Sequence, residues 1–192
     1  MAFPVSNSKS GLRRTIRAAL EQISPAARAA GSRALCERLK IQMQSARTIF
    51  FFAPMPGEVN LWPLLEETLA AEKAAALPRF DSKSQNYLAA RVQNLQTDLV
   101  AGKLGIREPN AACAEIPLDQ FDLILVPGVA FDLRGHRLGR GKGYYDRLLA
   151  NATAVKCGIA FDEQIVEEVP VEEHDARMNF IVTPSRCLKC DK

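Results

Sequence analysis

The run Phe121-Asp-Leu-Ile-Leu-Val-Pro-Gly128 constrains this chain most, because it is too continuously apolar to leave either face in water. A strand buried on both faces belongs inside a parallel sheet covered by helices. Covering helices are legible. Residues 9–23 place Leu12, Ile16, Leu20 and Ile23 on one helical face, and Ser24-Pro25 supplies an N-cap with proline at the first helical position, opening a second helix through about Gln44. Residues 47–53 contain Thr-Ile-Phe-Phe-Phe, a strand broken by Pro54-Met55-Pro56-Gly57, so a loop delivers Glu58 just beyond it. Helical spacing returns over 61–73, followed by a short apolar segment at 74–78 and a weaker strand at 87–92. Residues 93–117 show no clear period. After the Phe121 run come a Gly/Arg-rich loop, a helix over about 143–151, and strands at 155–161 and 179–183. The alternation implies an α/β fold with a mostly parallel central sheet and helices on both faces. Ligands of such sheets gather at the carboxyl ends of strands, where Glu58 and the loop after Gly128 fall.

A chain of 192 residues with 47% hydrophobic and 24% charged residues can bury a sizeable single core, which excludes disorder and a disulfide-stapled scaffold. One domain spanning 1–192 is expected, with residues 1–8 and 187–192 as frayed tails. A net charge of +3 is too small for wholesale nucleic-acid binding. No run approaches the roughly 18 apolar residues of a spanning helix and no signal-peptide core opens the chain, so a cytoplasmic protein without a membrane partner is expected. Cysteines at 36, 113, 157, 187 and 190 make no disulfide framework. Cys187 and Cys190 form one CxxC, but no second pair completes a zinc site, and a dispensable reduced tail is the expectation.

Chemistry concentrates in Gly135-His-Arg-Leu-Gly139-Arg140-Gly141-Lys142-Gly143-Tyr144-Tyr145-Asp146. Alternate glycines let the backbone approach a ligand, and Arg140 and Lys142 bring planar and mobile positive charge suited to phosphate oxygens. The spacing is neither a Walker A loop nor a dinucleotide fingerprint. Asp146 either helps hold a magnesium ion on phosphates or favours a helix N-terminus. Lys9, Arg13 and Arg17 recur every four residues as a basic stripe, which taken alone reads as a solvated face. The two histidines, His136 and His174, fit no catalytic set and read as local hydrogen-bonding residues.

The segment from Phe121 to Asp132, continued by Gly135 to Asp146, closely resembles the hallmark segment of the 5-formyltetrahydrofolate cyclo-ligase family. Further matches follow in order at Lys9 with Leu12-Arg13, Glu58, Leu77-Pro78-Arg79, Gly105-Ile106 with Glu108-Pro109, Gln164 and Glu173-His174-Asp175. The resemblance implies a Rossmann-like three-layer sandwich akin to sugar-phosphate isomerases and CoA transferases. It also implies ATP- and Mg²⁺-dependent cyclisation of 5-formyltetrahydrofolate, in monoglutamate or polyglutamylated form; a monomer is expected. Carried over, it places ATP on Lys9, Arg13 and the loop Arg137, Leu138, Gly139, Arg140, Gly141, Lys142, Gly143, Tyr144 and Tyr145. Arg140 and Lys142 would do the catalytic work on the phosphates, Ala53, Met55 and Glu58 would meet the folate, and Asp146 and Asp175 would ligate Mg²⁺. A sugar-phosphate isomerase, a CoA transferase and a non-catalytic phosphate or nucleic-acid binder are the rival readings.

Overall fold

The computed structural model describes residues 8–102, 105–150, 152–172 and 175–190; Asn151, Glu173 and His174 lie outside them. Helix α1 (Lys9–Glu21) begins where the Ser8 hydroxyl accepts the Gly11 N–H at 3.1 Å, and it buries Leu12 and Ile16. Helix α2 (Pro25–Gln42) has Ser24 in the same role toward the Ala27 N–H at 3.2 Å, with Pro25 in its first turn. Leu35 and Leu39 on its inner face are fully buried.

Strand β1 (Thr48–Phe50) pairs in parallel with β2 (Ala74–Asp81), which helix α3 (Trp62–Ala70) precedes; β3 (Asn86–Val92) returns antiparallel to β2. A small hairpin, β4 (Leu99–Ala101) with β5 (Arg107–Pro109), occupies the stretch that lacked periodicity, and β5 packs on β2. The apolar run becomes β6 (Leu123–Pro127), parallel to β1 on one side and to β9 (Val155–Ile159) on the other. The Asp122 carboxylate fixes that register by accepting the Arg47 and Thr48 N–H groups at 2.7 and 3.0 Å. Between β6 and β9 lie β7 (Ala130–Asp132), β8 (Arg137–Leu138) and the short helix α4 (Tyr144–Leu149). β10 (Ile165–Val166), β11 (Phe180–Val182) and β12 (Cys187–Lys189) complete the order.

The central sheet runs β12-β11-β9-β6-β1-β2-β3, parallel from β11 to β2 with an antiparallel strand at each edge. Renumbered within the parallel part, the order is 2-1-3-4-5, whose direction reverses between β1 and β6. That is the topological switch point at which doubly wound sheets bind ligands. β6 is buried along nearly its whole length, as an interior parallel strand must be.

Two sequence expectations need correction. Cys187–Lys189 is an edge strand on β11, and Cys190 is buried in one core cluster with Met178 and Ile181, so 187–190 is no frayed tail; its Leu188 and Cys190 had apolar surface to bury. Ser8 likewise caps a helix and does not fray. The glycine-rich stretch is also less of a loop than its composition suggests, because Arg137–Leu138 pair antiparallel with Ala130–Phe131 in a separate sheet, β10-β7-β8.

Candidate active site

The chain leaving β6 turns at Gly128, where a Cβ would stand 2.5 Å from the Phe131 ring. Gln164 holds this exit: its side-chain N–H donates to the Gly128 and Val129 carbonyls at 2.8 and 3.1 Å, and its Oε1 accepts the Phe161 N–H at 2.8 Å. Asp132, wholly buried, braces the next turn by accepting the Arg134, His136 and Val169 N–H groups, and its carboxylate bonds the His136 ring at 2.9 Å. His136 is thus the local hydrogen-bonding residue its sequence context suggested.

Beyond this rigid turn a cleft of about 370 Å³ opens over the ends of β1 and β6. Ala53, Met55 and Glu58 line it from the loop after β1, Arg137 lines it from β8, and Gly139, Arg140, Lys142, Gly143, Tyr144, Tyr145 and Asp146 line it from the segment that follows. One contact ties the two groups: Arg140 donates to Glu58 Oε1 at 2.7 Å while Glu58 Oε2 accepts the Met55 N–H at 2.9 Å. Gly141 takes φ +96°, a conformation that favours glycine, and packs beside the Arg13 guanidinium, whose Nε donates to the Gly139 carbonyl at 2.8 Å. Arg13 therefore buttresses the loop from α1 without lining the cleft. Arg137 is buried; it donates to the Pro127 carbonyl and to the Asp146 carboxylate, and its guanidinium lies 5.8 Å from the Tyr145 ring centroid. Burial, followed by the Glu58 charge, pushes the Tyr145 hydroxyl far above its ordinary pKa, so it stays protonated and can donate. Lys142 is exposed, and among the described residues its ammonium meets no partner.

The remaining candidates stand apart. Leu138 is core, packed in a cluster with Leu12 and Ile16. Lys9 bonds Asp175 at 3.1 Å and Glu172 at 3.0 Å; burial works against its charge, but these bonds outweigh it and raise its pKa. Asp175 also accepts the Glu172 N–H at 2.8 Å, and neither Lys9 nor Asp175 lines the cleft.

A family model described as the 5-formyltetrahydrofolate cyclo-ligase family matches residues 5–184. The chain belongs to this family. It is 39% identical over 145 residues to 5-formyltetrahydrofolate cyclo-ligase of Escherichia coli, covering 73% of this chain and 80% of that one. It is 34% identical to the Mycolicibacterium smegmatis cyclo-ligase over 188 residues, 93% of this chain and 95% of that one. The solution structure of Aquifex aeolicus 5,10-methenyltetrahydrofolate synthetase superimposes with a TM-score of 0.86 at 33% identity, covering 96% and 93% of the two chains.

In this cyclo-ligase fold the cleft has further walls that the residue pattern did not single out as site. Arg17, the third member of the basic stripe, lines it, as do Tyr87 and Glu108. Tyr87 and Tyr144 meet edge to face at a centroid distance of 5.1 Å, an aromatic wall assembled from β3 and α4. The helical spacing of Lys9, Arg13 and Arg17 carried a signal for Arg17. Glu108-Pro109 was among the residues matching the family, but no period or residue pattern placed Glu108 at the cleft, which it reaches because β5 packs on β2.

Proposed function

We propose that this chain uses ATP to close 5-formyltetrahydrofolate to 5,10-methenyltetrahydrofolate, releasing ADP and phosphate. The observation that carries the reading is the Glu58–Arg140 bond across one cleft, which puts the loop after β1 beside the cationic glycine-rich segment at the sheet's switch point. Isomerisation of a sugar phosphate and transfer of CoA need no ATP, so an ATP requirement separates them from this reading.

The formyl group on N5 is an unreactive amide. Transfer of the γ-phosphoryl group to its oxygen makes that oxygen a leaving group and yields an iminium phosphate plus ADP. The N10 amine attacks the activated carbon and loses its proton, and phosphate departs with the former formyl oxygen. Such chemistry asks a protein mainly for positioning and charge neutralisation. Lys142, mobile and uncommitted, follows the phosphoryl group in flight; Arg140 and the backbone of 139–143 hold the nucleotide, and Arg13 braces that backbone from α1 through the Gly139 carbonyl. Ala53 and Met55 face the folate, and Tyr87 and Tyr144 offer its aromatic arm an edge-to-face wall.

Mg²⁺ prefers oxygen ligands and commonly takes one or two carboxylates plus substrate phosphates. Among the described residues no three His, Cys, Asp or Glu side chains gather as an all-protein cage, which suits that mode. Asp146 fits: it lies on the cleft wall with one oxygen oriented by Arg137. Asp175, committed to Lys9 outside the cleft lining, contributes at most through a rearranged α1 end. When bound, the ion neutralises phosphate charge.

Purified protein mixed with ATP, Mg²⁺ and 5-formyltetrahydrofolate should develop methenyl absorbance, and omission of ATP should abolish it. Methenyl formation independent of ATP, or none with all components present, would contradict the reading.

A further inference from the structure

Glu108 is a buried carboxylate without adequate partners. It is 8% exposed and lines the cleft, yet among the described residues its Oε1 has no hydrogen-bond partner and its Oε2 accepts only the Phe80 N–H, at 3.3 Å. Gly102 leaves room for it: a Cβ there would stand 2.5 Å from the Glu108 carboxyl carbon. Its charge also adds to burial in raising the Tyr87 hydroxyl's pKa. A carboxylate withdrawn from water without a cation or a set of N–H donors is costly, and folded proteins rarely leave one so. Glu58, the other carboxylate reaching the cleft from a strand-end loop, differs in having both oxygens occupied.

The group that Glu108 lacks is a pair of donors. A reduced pterin carries one, a ring N–H beside an exocyclic amino group, spaced for the two oxygens of one carboxylate. We infer that Glu108 receives these donors and so determines specificity for the 2-amino-pterin ring; the inference rests on the folate reading above. The terminal torsion of a glutamate is broad, so the carboxylate plane can turn toward the ring without moving β5.

Glu108→Gln tests this. Glutamine keeps the shape and an acceptor for the Phe80 N–H but turns an N–H₂ toward the substrate's donors. Its KM for 5-formyltetrahydrofolate should rise by roughly 10- to 100-fold, the range for a hydrogen bond to a charged group, while its KM for ATP stays within about twofold. The second arm uses an analogue in which methyl replaces the 2-amino group. Wild type should turn it over with kcat/KM lowered about 10-fold or more relative to the natural substrate, and Glu108→Gln should show little preference between the two. Equal discrimination by both proteins, or a lowered thermal midpoint with unchanged KM, would overturn the inference and leave Glu108 a structural residue. Absence of turnover by wild type would overturn the folate reading and this inference with it, whereas turnover with unaltered discrimination overturns the inference alone.

Discussion

Within the cleft, side chains divide into those already held and those still uncommitted. Arg137, Asp146 and Glu58 are held by one another or by backbone, whereas Lys142 projects from a segment whose neighbours Gly141 and Gly143 carry no side chains. Lys142→Met should therefore lower single-turnover methenyl formation by about 100-fold, the scale of removing one preorganised charge donor, with a much smaller change in ATP affinity. Near-normal turnover at saturating ATP would return Lys142 to the solvated lysine its composition alone would suggest. The Glu58–Arg140 pair leads to a different expectation. The Arg140 side chain is 48% exposed, so the pair adds little to stability, but losing it frees the loop that both substrates need. Glu58→Gln should raise KM for folate and for ATP alike by several-fold with an unchanged melting temperature. A rise confined to folate would show the two loops to be independent. That Gly139, Arg140, Lys142 and Gly143 would lie at a cleft was legible from residue types and their place after a buried strand, whereas the Arg140–Glu58 contact, spanning 82 positions, was not.

Legibility at the scale of elements tracked burial. The Phe121 run, the capped α1 and α2, and the Phe-rich strand after residue 47 announce themselves because each buries a continuous or periodic apolar surface. β4, β5, β7, β8 and β10 are two or three residues long, below the length at which a period can be read, and their pairing depends on partners distant in sequence. β12 was missed because its Cys-rich composition suggested a tail. Truncation after Pro184 removes the strand that covers the β11 edge and the Cys190 side chain that packs against Gly135 at the entry to β8. Burial of one large apolar side chain contributes about 2 kcal/mol, so the truncated protein should melt roughly 4–8 °C lower. Cys187→Ser, at an exposed position, should leave the melting temperature unchanged. Equal melting temperatures for truncated and full-length protein would contradict a structural role for β12.

The whole molecule reduces to a sheet order that puts two loops at one place. Reversal between β1 and β6 sends the chain outward on both sides of a single crevice, and the stripe on α1 closes over it through the Arg13 bond to Gly139. No helix among the described residues is long and apolar enough to cross a membrane. Sequence predicted the α/β class and the strand ends that matter, but cleft walls contributed by the β4–β5 hairpin emerge only once the sheet is assembled. The central claim is that one cleft brings ATP and the formyl group together so that phosphate leaves bearing the formyl oxygen. The direct measurement uses 5-formyltetrahydrofolate labelled with ¹⁸O in the formyl group, with mass analysis of the phosphate released in one turnover. The account predicts one ¹⁸O atom in each phosphate formed with methenyl product; unlabelled phosphate accompanying full methenyl formation would contradict it.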